Sequence, residues 1–338
     1  MIIILKAGVA EADAKQLLEK IEGLGLKPLY MPGVERTVLG AIGDERILAS
    51  LHLDSDPRVD ELKPILSSYK LVSRELNPID SHVMLGNHAV GGERFTVIAG
   101  PCGVESKEQL FSVADMIKQQ GEAVALRGGA FKPRTSPYSF QGLGEEGLKL
   151  LQQAKQRTGL PIVSEVIDAN DVELMAQYVD CFQIGTRNMQ NYRLLEAVGK
   201  QQIPVLLKRG MSATIEELLL AAEYIVNSGN PNVILCERGI RTFETATRNT
   251  LDLNAVAYLK QKTHLPVLVD PSHGTGVREL IAPLSYAAAA VGADGIIVES
   301  HLNPCEALSD GHQALDAEQY AALLDGLRPF VHAAGKLL

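Results

Sequence analysis

No apolar run in this 338-residue sequence is long enough to cross a bilayer. The opening segment, MIIILKAG, is interrupted at Lys6, which is too short for the apolar core of a secretory signal. A cytoplasmic protein with no membrane partner is expected. Cysteine is scarce: Cys102, Cys181, Cys236 and Cys305 fall in neither a CxxC nor a zinc-ribbon spacing. In a reducing compartment they remain thiols, so any that matters is a ligand or a nucleophile. Excess positive charge is also missing. The formal net charge of -9 disfavours nonspecific nucleic-acid binding, and it makes any local cluster of Lys and Arg more telling. What remains, 46% hydrophobic and 22% charged, is ordinary for a globular protein.

The first 72 residues alternate short strand and helix patterns. IIIL (2–5) reads as a strand, EADAKQLLEKIEGLG as a helix ending on Gly25, and KPLYM and RTVLGAIG as two further strands. ERILASLHL follows as a second helix and PILSSYKLV (64–72) as a last strand. This βαββαβ order is the ferredoxin-like pattern. Residues 73–94 are rich in polar and turn residues and read as a linker with a small hairpin.

From residue 95 to 338 the period lengthens. Strand runs TVIAG, AVALRG, PIVSEV, CFQIG, PVLLKR, VILCER, PVLVD and GIIVE alternate with helical stretches. Some of those helices have clear start signals, such as Ser106 and Thr214. Eight strand–helix units are the count for a closed (β/α)8 TIM barrel. An open doubly wound sheet would need GxGxxG or GxxxxGK[ST] after its first strand, and neither stands there. The expected fold class is α/β, a barrel preceded by a small ferredoxin-like domain.

In such a barrel the chemistry lies at the carboxyl ends of the strands. Those ends carry Cys102; Arg127, Lys132 and Arg134; Glu165; Gln183 and Arg187; Lys208 and Arg209; Glu237 and Arg238; Asp270 and His273; and Glu299. Asp310 follows in the last loop. Arg127, Lys132, Arg134, Arg187, Lys208 and Arg238 form a basic set suited to phosphate and carboxylate oxygens. It is larger than one phosphate requires, so two anionic ligands are implied. The competing reading pairs half of these cations with Glu165, Glu237 and Asp270 as rim salt bridges. Alternation along a strand forbids Lys208 and Arg209 from both facing inward. Cys102, His273, Glu299 and Asp310 would suit a borderline divalent ion. Taken singly, a lone cysteine ordinarily fills a core and a lone histidine is ordinarily structural.

LRGGAFKPRTSPYSFQGLG (126–144) resembles the signature of 3-deoxy-D-arabino-heptulosonate 7-phosphate (DAHP) synthases. So do IAGPC (98–102), QIGTRNMQN (183–191), LLKRG (206–210), CERGIRTFE (236–244) and VDPSHGTG (269–276). The resemblance runs from about Arg74 to Leu338 and is nearest the microbial subgroup with an N-terminal ferredoxin-like domain. It implies condensation of phosphoenolpyruvate with erythrose 4-phosphate, the first step toward the aromatic amino acids. Cys102, His273, Glu299 and Asp310 match the family's metal ligands, implying Mn²⁺, Fe²⁺, Co²⁺ or Zn²⁺. Arg127, Lys132, Arg187, Lys208 and Arg238 match its phosphoenolpyruvate site, with Glu165 and Gln183 nearby and Asp270 counted among the substrate-binding groups. Pro133, Arg134, Thr135 and Ser136 match the segment that holds the aldose phosphate. Lys132, Glu165, Cys102 and His273 are the expected catalytic set. Lys132 or metal-bound water would protonate the new alkoxide, and Glu165 would position or activate water.

The sibling 3-deoxy-octulosonate 8-phosphate synthases use arabinose 5-phosphate. They typically carry an Asn-Arg-Ser-type segment where this sequence has Lys132–Ser136, and many replace the metal cysteine with asparagine. Both differences favour the four-carbon aldose here. Two positions depart from the usual family pattern: Gly103 follows Cys102 where serine is common, and His273 precedes Gly-Thr-Gly. Each neighbours a ligand, so each bears on metal preference more than on the reaction. The resemblance also implies a homo-oligomer, a homotetramer in the family, and tyrosine or phenylalanine as allosteric effectors. Leu29 and Met31 offer apolar side chains where regulated relatives tend to present hydrogen-bonding ones. A sugar-phosphate-binding regulator without catalysis would be expected to have lost some of these positions, and none is lost.

Overall fold

The computed structural model describes every residue except 34 and 35, and it divides the chain between Pro78 and Ile79 into two compact units. The first unit is a four-stranded antiparallel sheet in the order β2-β3-β1-β4. Its strands are β1 (Ile2–Leu5), β2 (Lys27–Pro32), β3 (Thr37–Ile42) and β4 (Val59–Lys63). Helix α1 (Glu11–Gly23) buries Ala14, Leu17 and Ile21 in one cluster with Ile3, Leu5, Leu39 and Ala41. Glu11 and Asp13 in its first turn and Lys20 in its last complement the helix dipole.

Two expectations for this unit are corrected. The last strand is not PILSSYKLV but the preceding VDELK, paired with β1 through Ile2↔Lys63 and Ile4↔Glu61. β4 is an edge strand, so its exposed Asp60, Glu61 and Lys63 conceal it from a hydrophobic pattern. Pro64 then ends it, and Ile65, Tyr69, Leu71 and Val72 are buried without forming a strand. The second helix is a single turn, α2 (Glu45–Leu48). Two 3-10 turns follow, separated by His52 at φ 47°, a left-handed conformation that no α-helix accommodates.

The second unit begins with a hairpin of β5 (Val83–Leu85) and β6 (His88–Val90). Gly86 opens its two-residue turn at φ 57°, and a Cβ there would meet Pro161 Cγ at 2.8 Å. Eight parallel strands then close into a barrel: β7 (Thr96–Gly100), β8 (Ala123–Arg127), β9 (Ile162–Val166), β10 (Cys181–Ile184), β11 (Val205–Lys208), β12 (Val233–Glu237), β13 (Val267–Val269) and β14 (Gly295–Glu299). The seam pairs β14 with β7, Glu299 opposite Gly100. All eight runs read from the sequence form these strands.

Around them lie α3 (Lys107–Gln120), α4 (Glu145–Thr158), α5 (Val172–Met175), α6 (Tyr192–Gly199), α7 (Ile215–Asn227), α8 (Leu253–Lys262), α9 (Pro271–Thr275), α10 (Ile281–Ala290) and α11 (Ala317–Ala333). Ser106 caps α3 by accepting from Gln109 N. Thr214 and Glu217 form a capping box on α7.

Strand alternation places the site. Ile98, Ala125, Val163, Cys181, Leu206, Ile234, Leu268 and Ile297 form one buried apolar cluster with Val83, Leu85 and Val90 of the hairpin. Two residues further along most of these strands stand Arg127, Glu165, Gln183, Lys208, Asp270 and Glu299. With a period of two, an apolar layer is followed by a polar one on the same inner face. The hairpin closes the opposite end, where Gly91 approaches Pro266 and His88 Nε2 lies 3.0 Å from Thr96 Oγ1.

Candidate active site

The polar layer opens into a cavity of about 320 Å³. Lys132, Arg134, Arg187, Lys208, Arg238 and Arg248 supply its cations, and Pro133, Thr135, Ser136, Glu165, Gln183, His273 and Asp310 complete much of the wall. Most sequence candidates therefore converge on one mouth. Arg127, Cys102 and Glu299 are buried beneath it.

Lys208 and Arg209 separate as alternation requires. Lys208 Nζ pairs with Asp270 and lines the cavity. Arg209 Nη1 meets Glu237 Oε2 and Asp252 Oδ2, each at 2.9 Å, and its Nε donates to Ala213 O. Of the pairings in the competing reading, Lys208 with Asp270 is present within the basic set, and Arg209, outside that set, pairs with Glu237. Asp270, expected among the substrate-binding groups, is wholly buried and does not line the cavity. It serves its neighbours instead: Oδ1 accepts from His273 N at 3.0 Å, and Oδ2 contacts His273 Nδ1 at 2.7 Å and Lys208. Burial alone would raise its carboxyl, but His273 and Lys208 outweigh burial and hold it well below the carboxylate range.

That carboxylate sets the histidine tautomer. Burial lowers the His273 pKa against the pull of Asp270 and Glu299, so the ring is neutral at ordinary pH. Its proton belongs on Nδ1, facing ionised Asp270. The Nε2 lone pair then faces Glu299 Oε1, 3.5 Å away.

Cys102, Glu299 and Asp310 each bring a donor atom within 4.8 Å of the others. Cys102 Sγ lies 3.5 Å from Asp310 Oδ2 and accepts from Lys132 Nζ at 3.1 Å. Burial pushes the Cys102 thiol up to about 12, aided by Glu299 and opposed by Lys132 and Arg127. Burial would raise Glu299 too, but at the low pH where it titrates a protonated His273, with Arg127 and Lys132, brings it to about 2. Its Oε1 is buried without a hydrogen bond, although Arg127 Nη2 stands 3.1 Å away out of alignment. His273 stands beside Glu299 but outside that close group of three. A thiol and two carboxylates, with one carboxylate oxygen free of hydrogen bonds, fit a borderline divalent ion. This group can hold a metal.

Buried donors also lack acceptors. Arg127 and Arg238 each keep Nε and Nη1 without a partner. Nine of ten such groups are ordinarily satisfied, so these four donor nitrogens point to an anion site. Burial accordingly lowers the Arg238 pKa. Lys132 keeps its charge: burial would lower it, but Cys102 and Glu165 raise it further. Glu165 approaches Gln183 Nε2 at 3.4 Å, and Gly185 makes room for it, since a Cβ there would stand 1.8 Å from Glu165 Oε1. Arg134 bonds Phe140 O and Ser309 Oγ, tying the Lys132–Ser136 segment to the loop that carries Asp310.

Sequence reasoning missed Arg248, Gln313 and Ser309. Arg248 had one usable signal, as a cation in the loop after β12. Gln313 had none, because a neutral amide in an irregular loop breaks no pattern.

A model of the DAHP synthetase I family matches residues 77–329, and one of the DAHP synthase ferredoxin-like domain matches residues 1–67. A Thermotoga maritima protein described as phospho-2-dehydro-3-deoxyheptonate aldolase is 51% identical over 335 residues, 99% of each chain. A crystal structure of a Thermotoga maritima phospho-2-dehydro-3-deoxyheptonate aldolase superposes with TM-score 0.79 at 50% identity, covering 99% of this chain and 98% of that one. A 2-dehydro-3-deoxyphosphooctonate aldolase from Syntrophotalea carbinolica is 33% identical over 69% of this chain and 88% of its own. On the strength of the matched barrel and the full-length relative, the chain belongs to the DAHP synthetase I family.

Proposed function

We propose that this chain condenses phosphoenolpyruvate, erythrose 4-phosphate and water to 3-deoxy-D-arabino-heptulosonate 7-phosphate and inorganic phosphate. The observation that carries the reading is the unpaired buried donor set of Arg127 and Arg238 beside Lys132, Arg187 and Lys208. These groups offer more cationic contact than one monoanion needs. They suit a ligand with both carboxylate and phosphate, and the Pro133–Ser136 segment at the same wall suits a second phosphate. The full-length 51%-identical relative supports the same substrates.

In this reading the five cations fix phosphoenolpyruvate so that its C3 faces the aldehyde carbon. Arg134, Thr135 and Ser136 hold the aldose phosphate. As C3 bonds to the aldehyde, positive character grows at C2, where water adds before the C–O bond to phosphate breaks. Charged Lys132, near the metal group, supplies a proton to the new alkoxide. Glu165, ringed by Gln183 and Gly185, orients the water and takes its proton. Cys102, His273, Glu299 and Asp310 would hold the divalent ion, Mn²⁺, Fe²⁺, Co²⁺ or Zn²⁺, which polarises the aldehyde oxygen when bound.

One assay tests the reading: phosphate release from phosphoenolpyruvate with erythrose 4-phosphate or arabinose 5-phosphate, with and without EDTA. Release is expected only with the four-carbon sugar, to stop on chelation and to return with Mn²⁺. Preference for arabinose 5-phosphate would make the chain an octulosonate synthase. Full turnover after complete metal removal, verified by elemental analysis, would remove the metal from the mechanism.

A further inference from the structure

Gln313 is fully buried, and both ends of its amide are committed. Its Nε2 donates to Glu299 Oε2 at 2.8 Å, and its Oε1 accepts from Arg248 Nη1 at 2.9 Å. A guanidinium only donates and an ionised carboxylate only accepts, so the amide has one possible direction. Arg248 itself lines the cavity and lies 3.5 Å from Asp310 Oδ1. With Oε2 of Glu299 occupied, Oε1 is the oxygen left without a hydrogen bond, facing His273 Nε2.

We propose that Gln313 is a positioning residue for the metal group: it ties up one oxygen of Glu299, presents the other to the ion, and links that carboxylate to Arg248 on the cavity wall. The inference rests on the metal part of the function proposed above. The chain makes the arrangement compact. Asp310 stands in the left-handed region at φ 48°, and the short turn Gly311–Gln313 follows at once. One loop therefore delivers both a ligand and the brace for a second ligand. Arg278 Nη2 steadies that loop by donating to Gly311 O at 2.6 Å. Groups that orient a metal ligand in this way ordinarily change affinity about 10- to 100-fold when removed.

The test is a Mn²⁺ titration of the metal-free full chain, without substrates, read by electron paramagnetic resonance. Gln313→Met keeps length and bulk and deletes both hydrogen bonds. Its Mn²⁺ dissociation constant is expected to rise about 10- to 100-fold, with an unchanged circular dichroism spectrum. Gln313→Asn retains an amide too short to span the two partners, and it decides the matter by the same rise if the Met variant does not fold. Arg248→Met leaves Gln313 against Glu299 but frees its other end. It is expected to weaken Mn²⁺ binding less than Gln313→Met and to raise KM for the aldose phosphate. Parent and Gln313 variants that bind Mn²⁺ alike, within about twofold, would overturn the inference while leaving the metal reading intact. A parent chain that binds no Mn²⁺ would remove both.

Discussion

Lys208 and Arg209 are adjacent in the chain, yet their charged ends answer to different carboxylates, Asp270 within the barrel and Glu237 with Asp252 behind its wall. Burial raises the Glu237 carboxyl, and Arg209 is the chief influence opposing that rise. Arg209→Met leaves the buried Glu237 without its cation, held only by the backbone N–H groups of Gly239 and Asp252, so a stability loss of about 3–5 kcal/mol is expected by denaturant titration. Lys208→Met is expected instead to lower kcat/KM for phosphoenolpyruvate by roughly 10²-fold or more. Equal activity losses in the folded fractions of the two variants would contradict this division.

Lys132 is held close to Cys102 and stays protonated despite burial. Lys132→Met should reduce kcat by about 10²- to 10⁴-fold with the circular dichroism spectrum preserved. Near-normal turnover would exclude Lys132 as the proton donor.

Gly185 owes its identity to Glu165. A methyl group at that position would overlap Oε1, so Gly185→Ala must push the carboxylate aside. A displacement of that size is expected to cost about 10²-fold in kcat. The double variant Gly185→Ala with Glu165→Ala should be no worse than Glu165→Ala alone. Additive losses would show that the two residues act separately.

In the first unit, hydrogen bonds from Arg58 hold the Asp56 carboxyl at about 2, against the opposing effect of burial, where 3.8 is ordinary. A depressed acid stabilises the folded state above its unfolded pKa, and that contribution disappears as pH falls through the folded value. Asp56→Asn should therefore cost about 1 kcal/mol near pH 7, a modest figure for a solvent-screened pair, with the gap closing between about pH 4 and pH 2. Melting curves of both proteins across that range check the sign. A gap that widens on acidification would refute it.

The barrel was legible in the sequence because its strands are buried on both faces and read as near-continuous apolar runs. Each run also ends on a residue of distinct chemistry. The edge strand Val59–Lys63 was not legible, since three of its five residues face solvent and the apolar stretch behind it drew the assignment. In the site, Cys102, His273 and Glu299 could be placed from strand ends alone. Gln313 could not: it lies 14 residues from Glu299 and 65 from Arg248 along the chain, in a turn with no periodicity. Asp270 was placed in the right region, but a sequence does not say which of two neighbouring carboxylates lines the cavity and which, like Asp270, is buried against the side chains that do.

The hairpin of Val83–Leu85 and His88–Val90 gives the barrel a greasy floor. Its Val83, Leu85 and Val90 merge with the inward residues of the strands into one cluster. In the proposed reaction, water, protons and both phosphorylated substrates would therefore share the mouth above that floor. In such a one-ended vessel the deepest-seated ligand has to arrive before the entrance is covered and leave after it is cleared. The order of substrate binding and product release would then be a property of the stopper as much as of the residues that do the chemistry.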